Sequence, residues 1–80
     1  MDINTKLFAF IRENFNIDDD PDYTMDVNLF DYGYLDSLGA TELIMHIEGE
    51  FSVEITPGDI MKYSMNTVNE IAEVVKLKLK

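Results

Sequence analysis

Apolar residues recur through the first fifteen positions at helical spacing. Ile3, Leu7, Phe10 or Ile11, and Phe15 fall three, four or seven apart, with Lys6, Arg12 and Glu13 among the polar positions. The pattern predicts a helix ending near Asn14 to Asn16. Asn16-Ile17-Asp18-Asp19-Asp20-Pro21-Asp22 then breaks it, because crowded like charges and proline disfavour regular structure. A long connection is expected from about Ile17 to Leu35, anchored in the core by Leu29-Phe30 and turning at Gly33.

A second helix should begin at Asp36 or Ser37. Its apolar stripe is Ala40, Leu43 or Ile44, Ile47 and Phe51, with Glu42, His46, Glu48 and Glu50 off it. Thr56-Pro57-Gly58-Asp59 reads as the start of a short third helix running to about Lys62 or Tyr63: a threonine cap, proline at the first helical position, and an acid in the first turn. The last helix opens near Asn66-Thr67, where Thr67 and Glu70 have capping-box spacing. Val68, Ile71, Ala72, Val75 and Leu79 follow one face, and Lys76, Lys78 and Lys80 complement the helix dipole at its end. Phe51 to Ile55 alternates like a strand, but one isolated strand has nothing to pair with. The expected fold is all-α: three longer helices, a short third one and a long first loop.

Length and charge narrow the function. Eighty residues make a single expected domain, 1–80, burying about three-fifths of the surface its unfolded chain exposes. Cysteine is absent, so no disulfide, thiolate metal site or cysteine nucleophile is available. The net charge is −10, and its distribution says more than its total: from Glu13 to Met61 there are thirteen acids and no Lys or Arg. Nucleic acid and anionic membrane surfaces are poor partners for such a chain, whereas a basic protein surface suits it. No apolar run is long enough to span a bilayer, and Met1 to Lys6 lacks the basic and apolar stretches of a secretion signal. A cytoplasmic monomer is expected.

The candidate chemistry sits in Leu29-Phe30-Asp31-Tyr32-Gly33-Tyr34-Leu35-Asp36-Ser37-Leu38-Gly39-Ala40-Thr41-Glu42-Leu43. Asp36-Ser37-Leu38 at a helix head, the later Glu42-Leu43 and Phe51 closing the helix resemble the acyl and peptidyl carrier proteins. The acidic first loop, short third helix and amphipathic last helix extend that resemblance over nearly the whole chain. It implies a four-helix bundle of acyl-carrier type. It also implies that Ser37 bears 4′-phosphopantetheine, transferred from coenzyme A by a separate phosphopantetheinyl transferase, and that the arm holds an acyl or aminoacyl group as a thioester. A loading ligase and downstream acyltransferases or condensing enzymes would be the other partners, contacting Asp36, Leu38, Glu42, Met45 and Glu48, with Met61 as a further contact. The chain itself would catalyse nothing. Fatty-acid-type carriers usually have a small residue before Asp-Ser-Leu and acids soon after; Leu35 and Gly39-Ala40-Thr41 stand here instead. That departure looks closer to freestanding D-alanyl and other aminoacyl or peptidyl carriers.

Simpler readings stand beside these. Asp36 or Ser37 can be just a helix cap. Leu38 and Met45 can pack against the preceding loop rather than face a partner. An unmodified acidic helical adaptor for a basic partner would use the same fold. A hydrolase is disfavoured, because the single histidine, His46, lies more than two turns beyond Ser37 and Gly-x-Ser-x-Gly is absent. Glu42 and Glu50 flank His46 at four residues, as on a solvated helix face.

Asp18, Asp20 and Asp22 have the alternate spacing of a calcium loop, but Tyr23 replaces its glycine and Leu29 its terminal glutamate, so no specific metal site is expected. Crowded carboxylates should still respond loosely to divalent cations. The melting temperature should be higher in millimolar magnesium than in sodium of equal ionic strength; coincident melting curves would dismiss the effect.

Overall fold

The computed structural model describes residues 2–17 and 20–79. Asp18, Asp19 and Lys80, which enter the calcium-like spacing and the terminal cation cluster, lie outside the described residues. Four helices are found among the described residues: α1 (Ile3–Asn14), α2 (Ser37–Phe51), α3 (Pro57–Lys62) and α4 (Val68–Leu79). The all-α expectation holds, and no strand occurs among the described residues.

Local chemistry explains each boundary. Asp2 caps α1, its carboxylate accepting from the Thr5 amide at 2.8 Å and the Thr5 hydroxyl at 3.1 Å. Asn16 takes the left-handed conformation (φ +56°) that ends α1, and the Ile17 amide reaches back to the Arg12 carbonyl at 3.0 Å. Ser52 ends α2 in the same way, at φ +55°. Thr56 and Asp59 form the reciprocal capping box of α3, with Pro57 at its first position. At α4 the Thr67 hydroxyl accepts from the Glu70 amide at 3.1 Å. The Glu70 carboxylate, however, takes the Asn66 amide at 3.0 Å, so the box is displaced by one residue.

The core collects Leu7 and Ile11 from α1, Leu43 and Ile47 from α2, and Val68, Ile71, Ala72 and Val75 from α4. Burying each large aliphatic side chain stabilises the fold by about 1.5–3 kcal/mol. The first connection contributes as much as a helix does: Ile17, Tyr23, Leu29 and Leu35 are all buried. Its backbone is also tied down. The Leu29 amide donates to the Asn66 carbonyl at 2.8 Å, and the Leu29 carbonyl accepts from Tyr34 and Leu35 at 2.9 and 3.0 Å. Gly33 supplies the tight reversal this requires, at φ +77°. Asn69 joins three segments, accepting from Asn4 and donating to Asp26, both at 2.7 Å, while its amide meets the Met25 carbonyl at 3.1 Å.

Two expectations about the core are corrected. Of the Leu29-Phe30 pair only Leu29 is buried; Phe30 is exposed, because the turn at Asn28–Asp31 points successive side chains to different sides. Leu79 is likewise exposed, since the last turn of α4 has run past the core, and Val74 is buried on the helix instead.

No α3 residue is buried. This helix is held by its cap and by Lys78 of α4, whose ammonium lies 2.7 Å from Asp59 Oδ2. The Lys78 contact and the Thr56 amide hold the Asp59 carboxyl down to about 2. Folding lowers this pKa, so the stabilisation is complete above the ordinary aspartate value of about 4 and is lost as pH falls through the folded value. Lys78→Met should therefore melt below the wild type at about pH 6, with the gap closing as the pH drops below about 4. A gap that ignores pH across that range would assign Lys78 to packing rather than to the ion pair.

Candidate functional site

Leu35 is buried and fixes the end of the first connection. The chain then extends through Asp36 (φ −120°, ψ −173°), whose carboxylate caps α2 by accepting from the Gly39 amide at 2.7 Å. Ser37 is the first helical residue and is exposed. Its carbonyl accepts from the Thr41 hydroxyl at 3.0 Å, leaving the Ser37 side chain outside the helix's own bonding. The amides of Ser37 and Leu38 have no intrahelical acceptor, so they and the helix dipole favour a nearby phosphate. Asp36 opposes that field in part, being an anion already seated on the first turn.

Gly39 has a packing reason that the sequence did not reveal. A Cβ there would stand 3.2 Å from Asp36 Oδ1, 3.4 Å from Phe15 Cε1 and 3.6 Å from Leu35 Cδ2. The absent side chain lets the cap and the Phe15 ring close on the first turn of α2.

Leu38, Met45 and Met61 are 70%, 65% and 89% exposed, so the reading in which Leu38 and Met45 pack against the loop is set aside. Glu42 is exposed on the same helix. Glu48 is different: half-buried, it accepts from the Ile55 amide at 2.9 Å and pins the segment leading into α3. A hydrogen bond across seven residues, between a helix and an irregular segment, has no local sequence signal.

His46 is exposed and meets the Phe10 ring edge-on at 5.7 Å. Nine residues of helix place it about 13 Å along the axis from Ser37, too far for a nucleophile–base pair. No cluster of three or more potential metal ligands occurs among the described residues. No helix is long and apolar enough to cross a membrane among the described residues.

Beside this site lies a cavity of about 360 Å³ between α2 and α3. Leu35, Ala40, Ile44 and Ile47 form part of its apolar lining, and Ile60, Met61, Ser64 and Asn66 add apolar and polar groups. An open hydroxyl, free first-turn amides and an adjoining cavity of mixed polarity suit a phosphodiester-linked amide chain.

Comparison with known proteins agrees with that chemistry. The family described as "Phosphopantetheine attachment site" matches residues 5–75. The chain belongs to this family of phosphopantetheine-binding carrier domains. Its prosthetic group is thus 4′-phosphopantetheine, and it is a non-catalytic carrier that works with a phosphopantetheinyl transferase and loading enzymes. The D-alanyl carrier protein of Streptococcus sanguinis (strain SK36) is 37% identical over 75 residues, covering 94% of this chain and 92% of that protein. The proteins of the same name from Streptococcus gordonii and Streptococcus thermophilus are 36% identical over the same shares. The resemblance drawn from Asp36-Ser37-Leu38 and its surroundings is therefore correct at the level of the family.

The cap is the part of the carrier site whose energy can be read alone. Asp36→Ala should cost about 1 kcal/mol in urea unfolding, and Asp36→Asn only a few tenths. Equal losses for the two variants would mean that charge, not the bond to Gly39, supports the helix start.

Proposed function

We propose that Ser37 is the attachment residue and that the cargo is D-alanine or a similarly small amino acid, held as a thioester on the arm. The observation that carries the reading is an exposed serine hydroxyl at the capped start of α2, in a chain similar to D-alanyl carrier proteins over 94% of its length. Leu35 and Gly39-Ala40-Thr41, which depart from the fatty-acid pattern, support the same choice. When bound, the arm supplies the thiol that this cysteine-free chain lacks.

The chain's own residues hold and present the site. Asp36 fixes the first turn, the Ser37 and Leu38 amides would be available to a phosphodiester on Ser37, and the buried Leu35 keeps the serine from receding into the fold. His46 is out of reach of Ser37 and Asp36 Oδ1 is engaged with the Gly39 amide, which favours a base supplied by the transferase. Leu38, Met45 and Met61 form exposed apolar contacts for partner enzymes, with Glu42 as an acidic neighbour. Asp36 and Glu48 contribute charge to this face while serving the fold. The partners are a transferase, an adenylating ligase and a downstream acyltransferase or condensing enzyme, met in the cytoplasm by one domain acting as a monomer.

Incubation with coenzyme A and a broad-specificity phosphopantetheinyl transferase should add the mass of one phosphopantetheine, and Ser37→Ala should add none. The modified chain should then gain a second mass with ATP, D-alanine and a D-alanine-activating ligase. Modification that persists in Ser37→Ala would overturn the site. No modification of the folded chain, by a transferase active on another carrier, would favour an unmodified adaptor. Modification without D-alanine loading would overturn the cargo alone.

A further inference from the structure

The first connection, with Phe8 of α1, carries a ladder of aromatic rings that holding an acyl group does not require. Phe8 stacks on Tyr23 with centroids 4.3 Å apart, Tyr23 meets Tyr34 edge-on at 5.6 Å, and Tyr34 stacks on Tyr32 at 6.2 Å. The inner rungs are fixed by their hydroxyls. Tyr23 donates to the Phe8 carbonyl at 2.7 Å, and Tyr34 donates to Asp20 Oδ2 at 2.9 Å. Partial burial and Asp20 push the Tyr34 phenol up to about 12, so it stays a donor at any working pH.

The two ends of the ladder differ. At Phe8 the Arg12 guanidinium lies over the ring, 4.9 Å from its centroid. At the other end Tyr32 is 58% exposed, five residues before Ser37. Acids populate its segment, among them Asp31 and Asp36, and no Lys or Arg occurs from Glu13 to Met61.

We propose that the exposed Tyr32 ring is a docking point for an arginine side chain of a partner enzyme, separate from the apolar contacts on α2 and α3. A guanidinium can lie flat on a ring face while its edge bonds to a carboxylate, and neighbouring acids strengthen its attraction. Tyr34 lies nearly parallel to Tyr32 at 6.2 Å, which limits the freedom that the ring has to lose on binding. The chain already shows this pairing at Phe8, where its own arginine supplies the cation. At Tyr32 the cation comes from outside, five residues before the helix start in sequence. The inference stands independently of the cargo and of the attachment residue.

Two peptides of equal charge test it on the full-length unmodified chain: acetyl-Lys-Gly-Arg-Gly-Lys-amide, and the same peptide with lysine at its centre. Titration is followed by NMR through the Tyr32 and Tyr34 ring resonances. The arginine peptide should shift both rings and bind about twofold or more tighter than the lysine peptide. Tyr32→Leu should weaken the arginine peptide about twofold or more and the lysine peptide less, so that the preference is lost, whereas Tyr32→Phe should retain it. Both replacements are at an exposed position and keep the net charge, and an unchanged melting temperature would verify the fold. Equal binding of the two peptides, or arginine binding that survives Tyr32→Leu, would reduce the effect to diffuse attraction by the acids and overturn the proposal. Ring shifts that depend on protein concentration without peptide would assign Tyr32 to self-association and overturn it equally.

Discussion

The placement of α2, and with it of Ser37, depends on Leu29. The Leu29 side chain is fully buried, its amide is bound to the segment before α4, and its carbonyl receives the amides of Tyr34 and Leu35. A long acidic segment that repels itself is thereby closed into a loop around Leu29, with Ile17, Tyr23 and Leu35 buried on either side of it. Everything next in the chain inherits that constraint. Leu35 is set into the core, Asp36 emerges extended, and Ser37 begins a helix at the surface rather than within the bundle.

Charge and packing divide the work unevenly. Acids crowd the middle of the sequence, yet the described structure engages several of them locally. Asp2 and Asp36 cap helices, Asp59 completes a capping box, and Glu48 holds an irregular segment. A negative surface is left over without a core that must tolerate it, since no polar or charged residue is buried among those described. The chain can present a strong field to basic partners and keep an uncharged interior.

What was legible in the sequence was what local physics decides. Asp36-Ser37 and Thr56-Pro57 mark helix starts because a cap bonds within three residues, and the apolar stripes of α1 and α2 survive in the core. The family was legible because Asp36-Ser37-Leu38 falls at a helix head in a short, acidic chain of four helices, a combination far more specific than the tripeptide. What escaped was non-local. Asn69 bonds across 65 residues to Asn4 and across 43 to Asp26, and no periodicity announces such a junction. Phe30 is as hydrophobic as Leu29, but turn geometry sends neighbouring side chains apart. The tight packing over Gly39 needed the Phe15 ring, which arrives from the end of α1.

Because α3 is joined to the rest by a cap and an ion pair rather than by a buried face, opening it should need less free energy than opening the core. Few buried apolar contacts are what place a segment low in an unfolding hierarchy, and α3 has none buried, whereas α1 and α4 each bury core residues. The wall of the cavity can thus rearrange on its own timescale while the cap beneath Ser37 stays closed, so one side of the carrier can adapt to successive enzymes without loosening the other.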